Sequence, residues 1–163
     1  ERDISVRPPR VTGACLVVTQ GWLDAQEDPE GADARARETT RVERLAVDAV
    51  LRAELALGHR PTEMHHNNPG YDIESDTGKA LDFIEVKGRV IGGKTFVLTR
   101  QEAVTALNKA QHSVLALVQV GEDDSTIVRY LRQPINQPID PRAARVEYDW
   151  KPFWNDATEM SQG

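Results

Sequence analysis

The sequence predicts a single α/β domain, and three observations carry that expectation. Helical and extended periodicities alternate along the chain. At 163 residues it can bury one sizeable core but not two comfortable ones. A composition of 39% hydrophobic and 28% charged residues is that of a globular chain rather than a disordered one.

The elements follow in order. Residues 1–10, with Pro8 and Pro9, read as a linker, residues 13–20 as a short buried strand, and the acidic run 24–33, with Pro29 and Gly31, as a loop. Over residues 39–57, Val42, Ala46, Ala49, Val50, Ala53 and Leu57 recur on one helical face, and Gly58 supplies the stop. The polar stretch 60–70 ends in the turn residues Asn68-Pro69-Gly70. Residues 71–75, 81–87 and 95–99 then read as three strands in an antiparallel meander. Thr99-Arg100-Gln101-Glu102 has the spacing of a capping box, which starts a helix running to about Gln111. Residues 114–120 and 126–131 complete the strands. Residues 133–142, with three prolines, are irregular, and the aromatic-rich tail 146–154 packs back on the body. The expected division is 1–32 as the end of a preceding region, 33–132 as the domain, and 133–163 as an extension.

Bulk properties narrow the function. No apolar run approaches the roughly 20 residues of a membrane helix, and no signal peptide is visible, so a cytoplasmic setting is expected. One cysteine, Cys15, leaves neither an internal disulfide nor a thiolate zinc site. The net charge of -6 argues against indiscriminate nucleic-acid coating. Local positive charge nevertheless gathers at Lys79, Lys87, Arg89, Lys94, Arg100 and Lys109. A chain opening on Glu1 rather than Met reads as a piece of a longer protein.

The chemistry concentrates in Asp72 and in Ile84-Glu85-Val86-Lys87. On a strand, side chains alternate faces, so Glu85 and Lys87 share one face while Ile84 and Val86 pack on the other. Burying either charge alone would cost several kcal/mol. Pairing of the flanking strands would bring Asp72 toward Glu85, and two close carboxylates call for a cation. Mg²⁺ or Mn²⁺ suits oxygen donors of this kind, needing one or two carboxylates alongside water and phosphate.

These residues resemble the PD-(D/E)XK nuclease signature. More specifically, Glu43, Asn68-Pro69-Gly70-Tyr71-Asp72-Ile73-Glu74-Ser75, Ile84-Glu85-Val86-Lys87-Gly88-Arg89, Leu98 to Glu102 and Leu115 to Val118 resemble the C-terminal domain family of the plant protein NO VEIN. The resemblance implies a restriction-endonuclease-like mixed central sheet flanked by helices, in the order α-β-β-β-α-β. It implies a metal-dependent nuclease acting on DNA, with Asp72, Glu85 and the Val86 carbonyl as metal ligands, Lys87 positioning the attacking water, and Glu43 near the metal. It further implies a parent helicase or ATPase protein, including defence and restriction systems, and an ability to form homodimers. The signature's proline directly before the aspartate is replaced here by Tyr71.

Plainer readings stand beside these. Asp72 would serve as a loop hydrogen-bond acceptor, and Glu85 with Lys87 as an ion pair on a solvated face. Glu43 either closes a capping box with Thr40 or faces the metal, and the sequence supports both. Arg89, and less strongly Lys94, Arg100 and His66, are candidate nucleic-acid contacts. Trp150 and Trp154 read as core. Gly92-Gly93-Lys94-Thr95 lacks phosphate-loop spacing and reads as a hairpin turn. A catalytically inactive module for DNA sensing or protein docking is the rival to the enzyme.

Overall fold

The structure, a computed structural model, describes residues 29–65, 68 and 70–159. The expected linker, the strand at 13–20, the start of the acidic loop and His66 lie outside the described residues. Residues 38–163 form one compact unit. Residues 1–37 form another, whose described part, 29–37, is the start of the first helix.

The two longest strands lie side by side at the centre of a five-stranded sheet. They are β3 (Leu81–Val90) and β5 (Ser113–Val120), paired in parallel from Phe83↔Ser113 to Val90↔Val120. β5, buried on both faces, gains most from this central placement, since each fully buried aliphatic side chain contributes about 1.5–3 kcal/mol. β2 (Ile73–Asp76) joins β3 antiparallel, and β1 (Arg60–Glu63) joins β2. β6 (Thr126–Arg132) flanks β5, giving the order β1-β2-β3-β5-β6. Helices cover both faces, so the expected class, a mixed sheet flanked by helices, is the one observed.

Helix α1 (Pro29–Ala56) lays Val42, Ala46, Ala49 and Val50 against Ile73, Ile84, Val86, Val114, Ala116 and Val118. It begins ten residues before the expected start. Pro29 opens it, where a missing N–H costs nothing, and the Ala-, Glu- and Arg-rich run that follows sustains it. Residues 29–33 are thus helix rather than loop, and Thr40 lies in the helix interior, so Thr40 and Glu43 form no capping box at its start. The stop at Gly58 holds. With φ of +80°, Gly58 donates to the Leu55 carbonyl and His59 to the Glu54 carbonyl, both at 3.0 Å, closing a Schellman motif. Near this end Glu54, only 1% exposed, accepts hydrogen bonds from Ser75 Oγ at 2.6 Å and pairs with His59 Nδ1 at 2.8 Å.

On the other face, Leu115 and Leu117 pack with Phe96, Leu98 and Trp150. Helix α2 (Arg100–Lys109) lies on this side, its buried Ala103 and part-buried Ala106 and Leu107 turned to the core. Its expected capping box is present in both halves.

The meander needs correction. β4 (Thr95–Thr99) leaves the sheet after the turn at Gly92 and pairs antiparallel with β7 (Arg145–Asp149) in a separate two-stranded sheet. β5 already occupies the free edge of β3 through the α2 crossover, so β4 has no place beside it. The third strand of the α-β-β-β-α-β order is instead β1, read from sequence as a polar loop. Its residues are largely exposed and include Pro61, which only an edge strand tolerates. The tail packs back as expected. Tyr148, Trp150 and Phe153, on β7 and α3 (Trp150–Asp156), surround Phe96 at ring-centroid distances of 5.5, 6.1 and 5.1 Å.

Gly88 fixes how closely α1 approaches. A Cβ there would lie 2.7 Å from Ala46 Cβ and 3.1 Å from the Val42 carbonyl oxygen, so the helix rests almost on the strand backbone.

Candidate active site

Strand alternation places the key acid and lysine. β3 buries Asp82, Ile84, Val86 and Gly88 toward α1, and turns Phe83, Glu85, Lys87 and Arg89 to the α2 face. The β2–β3 register then brings in Asp72. Ile73 pairs with Ile84, so Asp72, one residue earlier, stands opposite Glu85. Its backbone N–H donates to the Ile84 carbonyl at 2.9 Å, and its Oδ2 accepts from the Val86 N–H at 2.8 Å. A residue's N–H and C=O leave a strand on the same side. The Val86 carbonyl therefore faces the edge where β2 has ended and Asp72 sits.

These groups line one open cavity of about 510 Å³ with Thr40, Glu43, Arg44, Val47, Glu63, Met64 and Glu102. Five acids there face two bases, an excess of negative charge. Both bases are engaged, and Arg44 donates to Glu63 at 2.6 Å and to Asp48 at 2.6 Å. Lys87 Nζ lies 2.5 Å from Glu85 Oε1 and 2.8 Å from Glu102 Oε2. The pair is not on a solvated face, since the Glu85 and Lys87 side chains are only 13% and 18% exposed.

Burial sets the protonation balance. It raises the Glu85 carboxyl well above the usual range, opposed by Lys87 and assisted by Asp72 and Glu102. Asp72 is raised for the same reason, though the Val86 N–H and Lys87 pull it back. Burial works against the Lys87 ammonium, but Glu85 and Glu102 outweigh it and hold its pKa above normal. Glu102 is also raised by burial, yet its contact with Lys87 prevails and leaves it low. The arrangement is one ammonium among desolvated carboxylates, two of which ionise at a cost.

The donor set fits a hard divalent cation. Among the described residues no three carboxylate, imidazole or thiol side chains converge to hold an ion alone. Two carboxylates and a strand carbonyl do open on one water-accessible space, and Mg²⁺ or Mn²⁺ completes its shell with water and phosphate.

Other candidates fall elsewhere. Glu43 is exposed at the cavity rim and close enough to Asp72 to raise its pKa. Arg89 donates from Nε to the Thr95 carbonyl at 2.6 Å and from one terminal nitrogen to the Gly88 carbonyl, bracing the β3–β4 turn. Lys94 and Arg100 are exposed and do not line the cavity. Glu74 accepts from the Tyr71 hydroxyl at 3.1 Å, outside the cavity. Sequence reasoning missed Glu102 as a site residue, because its capping-box spacing explained it already. Arg44 and Glu63 carried no signal, since their meeting depends on β1.

The chain is similar to the solved structure of Hjc from Archaeoglobus fulgidus, a Holliday junction resolvase from an archaeal hyperthermophile. The identity is 16%, the alignment covers 76% of this chain and 92% of that one, and the TM-score is 0.49. No curated protein matches the chain. The family model described as "Protein NO VEIN, C-terminal" matches residues 42–131, more than half of the chain and every residue lining the cavity except Thr40. The chain belongs to the family of NO VEIN C-terminal domains.

Proposed function

We propose that the domain is a metal-dependent nuclease that hydrolyses DNA phosphodiester bonds. The observation that carries this reading is the convergence of part-buried Asp72 and Glu85 with Lys87 on one open, acid-rich cavity. Asp72, Glu85 and the Val86 carbonyl would hold Mg²⁺ or Mn²⁺. When bound, the ion would supply Lewis acidity, lowering the pKa of water and offsetting charge on the phosphate. Lys87 orients the attacking water and faces the charge that builds on the phosphoryl oxygens. Glu43 acts from the rim, through water. Arg89, which also braces its turn, and with it Lys94, Arg100 and His66, would contact the nucleic-acid backbone. The local acid excess makes the ion a precondition for phosphate to approach. The domain works as part of a larger helicase-type or defence protein in the cytoplasm, as a monomer or homodimer. Among the described residues no helix is long and apolar enough to cross a membrane.

A second reading is an inactive module for DNA sensing or docking. One observation favours it, that Lys87 already pairs with both Glu85 and Glu102.

The deciding experiment offers plasmid, linear duplex, single-stranded DNA and RNA with Mg²⁺, Mn²⁺ or EDTA. Cutting of DNA that needs metal and is lost in Asp72→Asn and Glu85→Gln supports the enzyme. Cutting that survives either substitution overturns the site, and no cutting under any condition favours the module.

A further inference from the structure

We infer that Glu102 is a positioning residue: it holds Lys87 in the site when Glu85 turns to the metal, an inference that rests on the nuclease reading. Lys87 has two carboxylate partners, at 2.5 and 2.8 Å. The proposed chemistry claims Glu85 for the ion. A carboxylate that ligates a divalent cation offers little to an ammonium, and two neighbouring cations repel. Lys87, on a flexible four-carbon stem, would swing toward solvent unless a second acceptor kept it.

Glu102 has the properties of that acceptor. Its Oε2 accepts from Lys87 and also from the Thr99 backbone N–H at 3.1 Å, while its own N–H donates to Thr99 Oγ1 at 3.2 Å. The capping box therefore fixes the carboxylate on the first turn of α2. Glu102 belongs to a different element from the other acids around Lys87, so ion binding at Asp72 and Glu85 leaves its anchorage untouched. One side chain thus starts a helix and anchors the lysine, and the sequence shows only the first of these jobs.

The test separates anchoring from capping, because Gln keeps the capping hydrogen bond and loses the charge. Metal-free protein is treated with acetic anhydride, and Lys87 acetylation is followed by mass spectrometry in variants checked by thermal melting. Glu85→Gln mimics the loss of Glu85 to the ion. In that variant Lys87 should stay protected by Glu102. In Glu85→Gln/Glu102→Gln it should react about tenfold faster or more, the extent expected when an ion-paired group opens by about 1.4 kcal/mol. Glu85→Gln/Thr99→Ala loses only the hydroxyl half of the capping box and keeps the backbone N–H that holds the Glu102 carboxylate, so it should resemble Glu85→Gln alone. Equal exposure in Glu85→Gln and the double variant would overturn the inference, as would exposure produced equally by Thr99→Ala. If the double variant does not fold, Glu102→Gln in Mn²⁺ asks the same question with the same two outcomes. In cleavage, Glu102→Gln should lower kcat about tenfold or more at saturating metal and DNA, with KM and Mn²⁺ affinity little changed. An unchanged kcat would count against positioning. A wild-type protein that cuts nothing would defeat the nuclease reading, while the acetylation result still decides the role of Glu102.

Discussion

Replacing Gly88 with alanine should loosen the packing that positions the site. The new methyl would lie 2.7 Å from Ala46 Cβ, 3.1 Å from the Val42 carbonyl oxygen and 3.3 Å from Val42 Cγ1. Ordinary carbon contacts are about 3.5–4.0 Å, so α1 must lift by about 1 Å or β3 must bend. None of the three atoms belongs to the far end of a flexible side chain. Two are a helix methyl and a helix carbonyl, which cannot swing aside. Val42, Ala46, Ala49 and Val50 are all at most 6% exposed, so the lift opens a continuous interface. Overpacking of this kind costs about 1–3 kcal/mol. At roughly 2–4 °C per kcal/mol for a chain of this size, the melting temperature should fall by about 2–12 °C. Urea unfolding of Gly88→Ala, Ala46→Gly and the double variant tests the cause. Ala46→Gly alone costs about 1 kcal/mol for helix propensity, but the pair should be less damaging than the sum, with coupling of about 1 kcal/mol. A Gly88→Ala variant within about 0.5 kcal/mol of wild type, or strict additivity, would refute the close approach.

Two further outcomes follow from the charge arrangement. Lys87→Ala leaves Glu85 and Glu102 buried without their cation, so metal-free protein should lose about 3–5 kcal/mol where both stay ionised. Mn²⁺ should restore part of that loss, and urea titration with and without Mn²⁺ measures both. Glu85 sets a pH dependence. Its folded pKa lies above the unfolded value, so its ionisation penalises the fold once pH exceeds the unfolded value. Lowering the pH from above its folded pKa toward the ordinary glutamate range should therefore stabilise metal-free wild type relative to Glu85→Gln, and parallel stability curves for the two proteins would contradict this.

The strongest features were legible because they are local. Alternation along 83–87 put Glu85 and Lys87 on one face, the turn at 77–80 put Asp72 opposite Glu85, and Thr99 with Glu102 announced α2. What escaped notice depends on partners distant in sequence. β1 buries almost nothing, and its signal is a backbone ladder to β2 that no side-chain pattern records. β4 reads as a good strand but not as one that pairs with residues 145–149, because the competitor for its place, β5, comes later in the chain. Glu102 was visible as a cap and hidden as a partner of Lys87, since one hydrogen-bonding motif accounted for it fully.

The most direct test of the account is Mn²⁺ binding by calorimetry to wild type, Asp72→Asn and Glu85→Gln without nucleic acid. The account predicts binding to the wild type that is weakened in each variant by about tenfold or more, since losing a direct ligand costs at least as much as losing a group that orients one. Equal binding in all three, or none in the wild type at millimolar metal, would contradict a metal site built on Asp72 and Glu85.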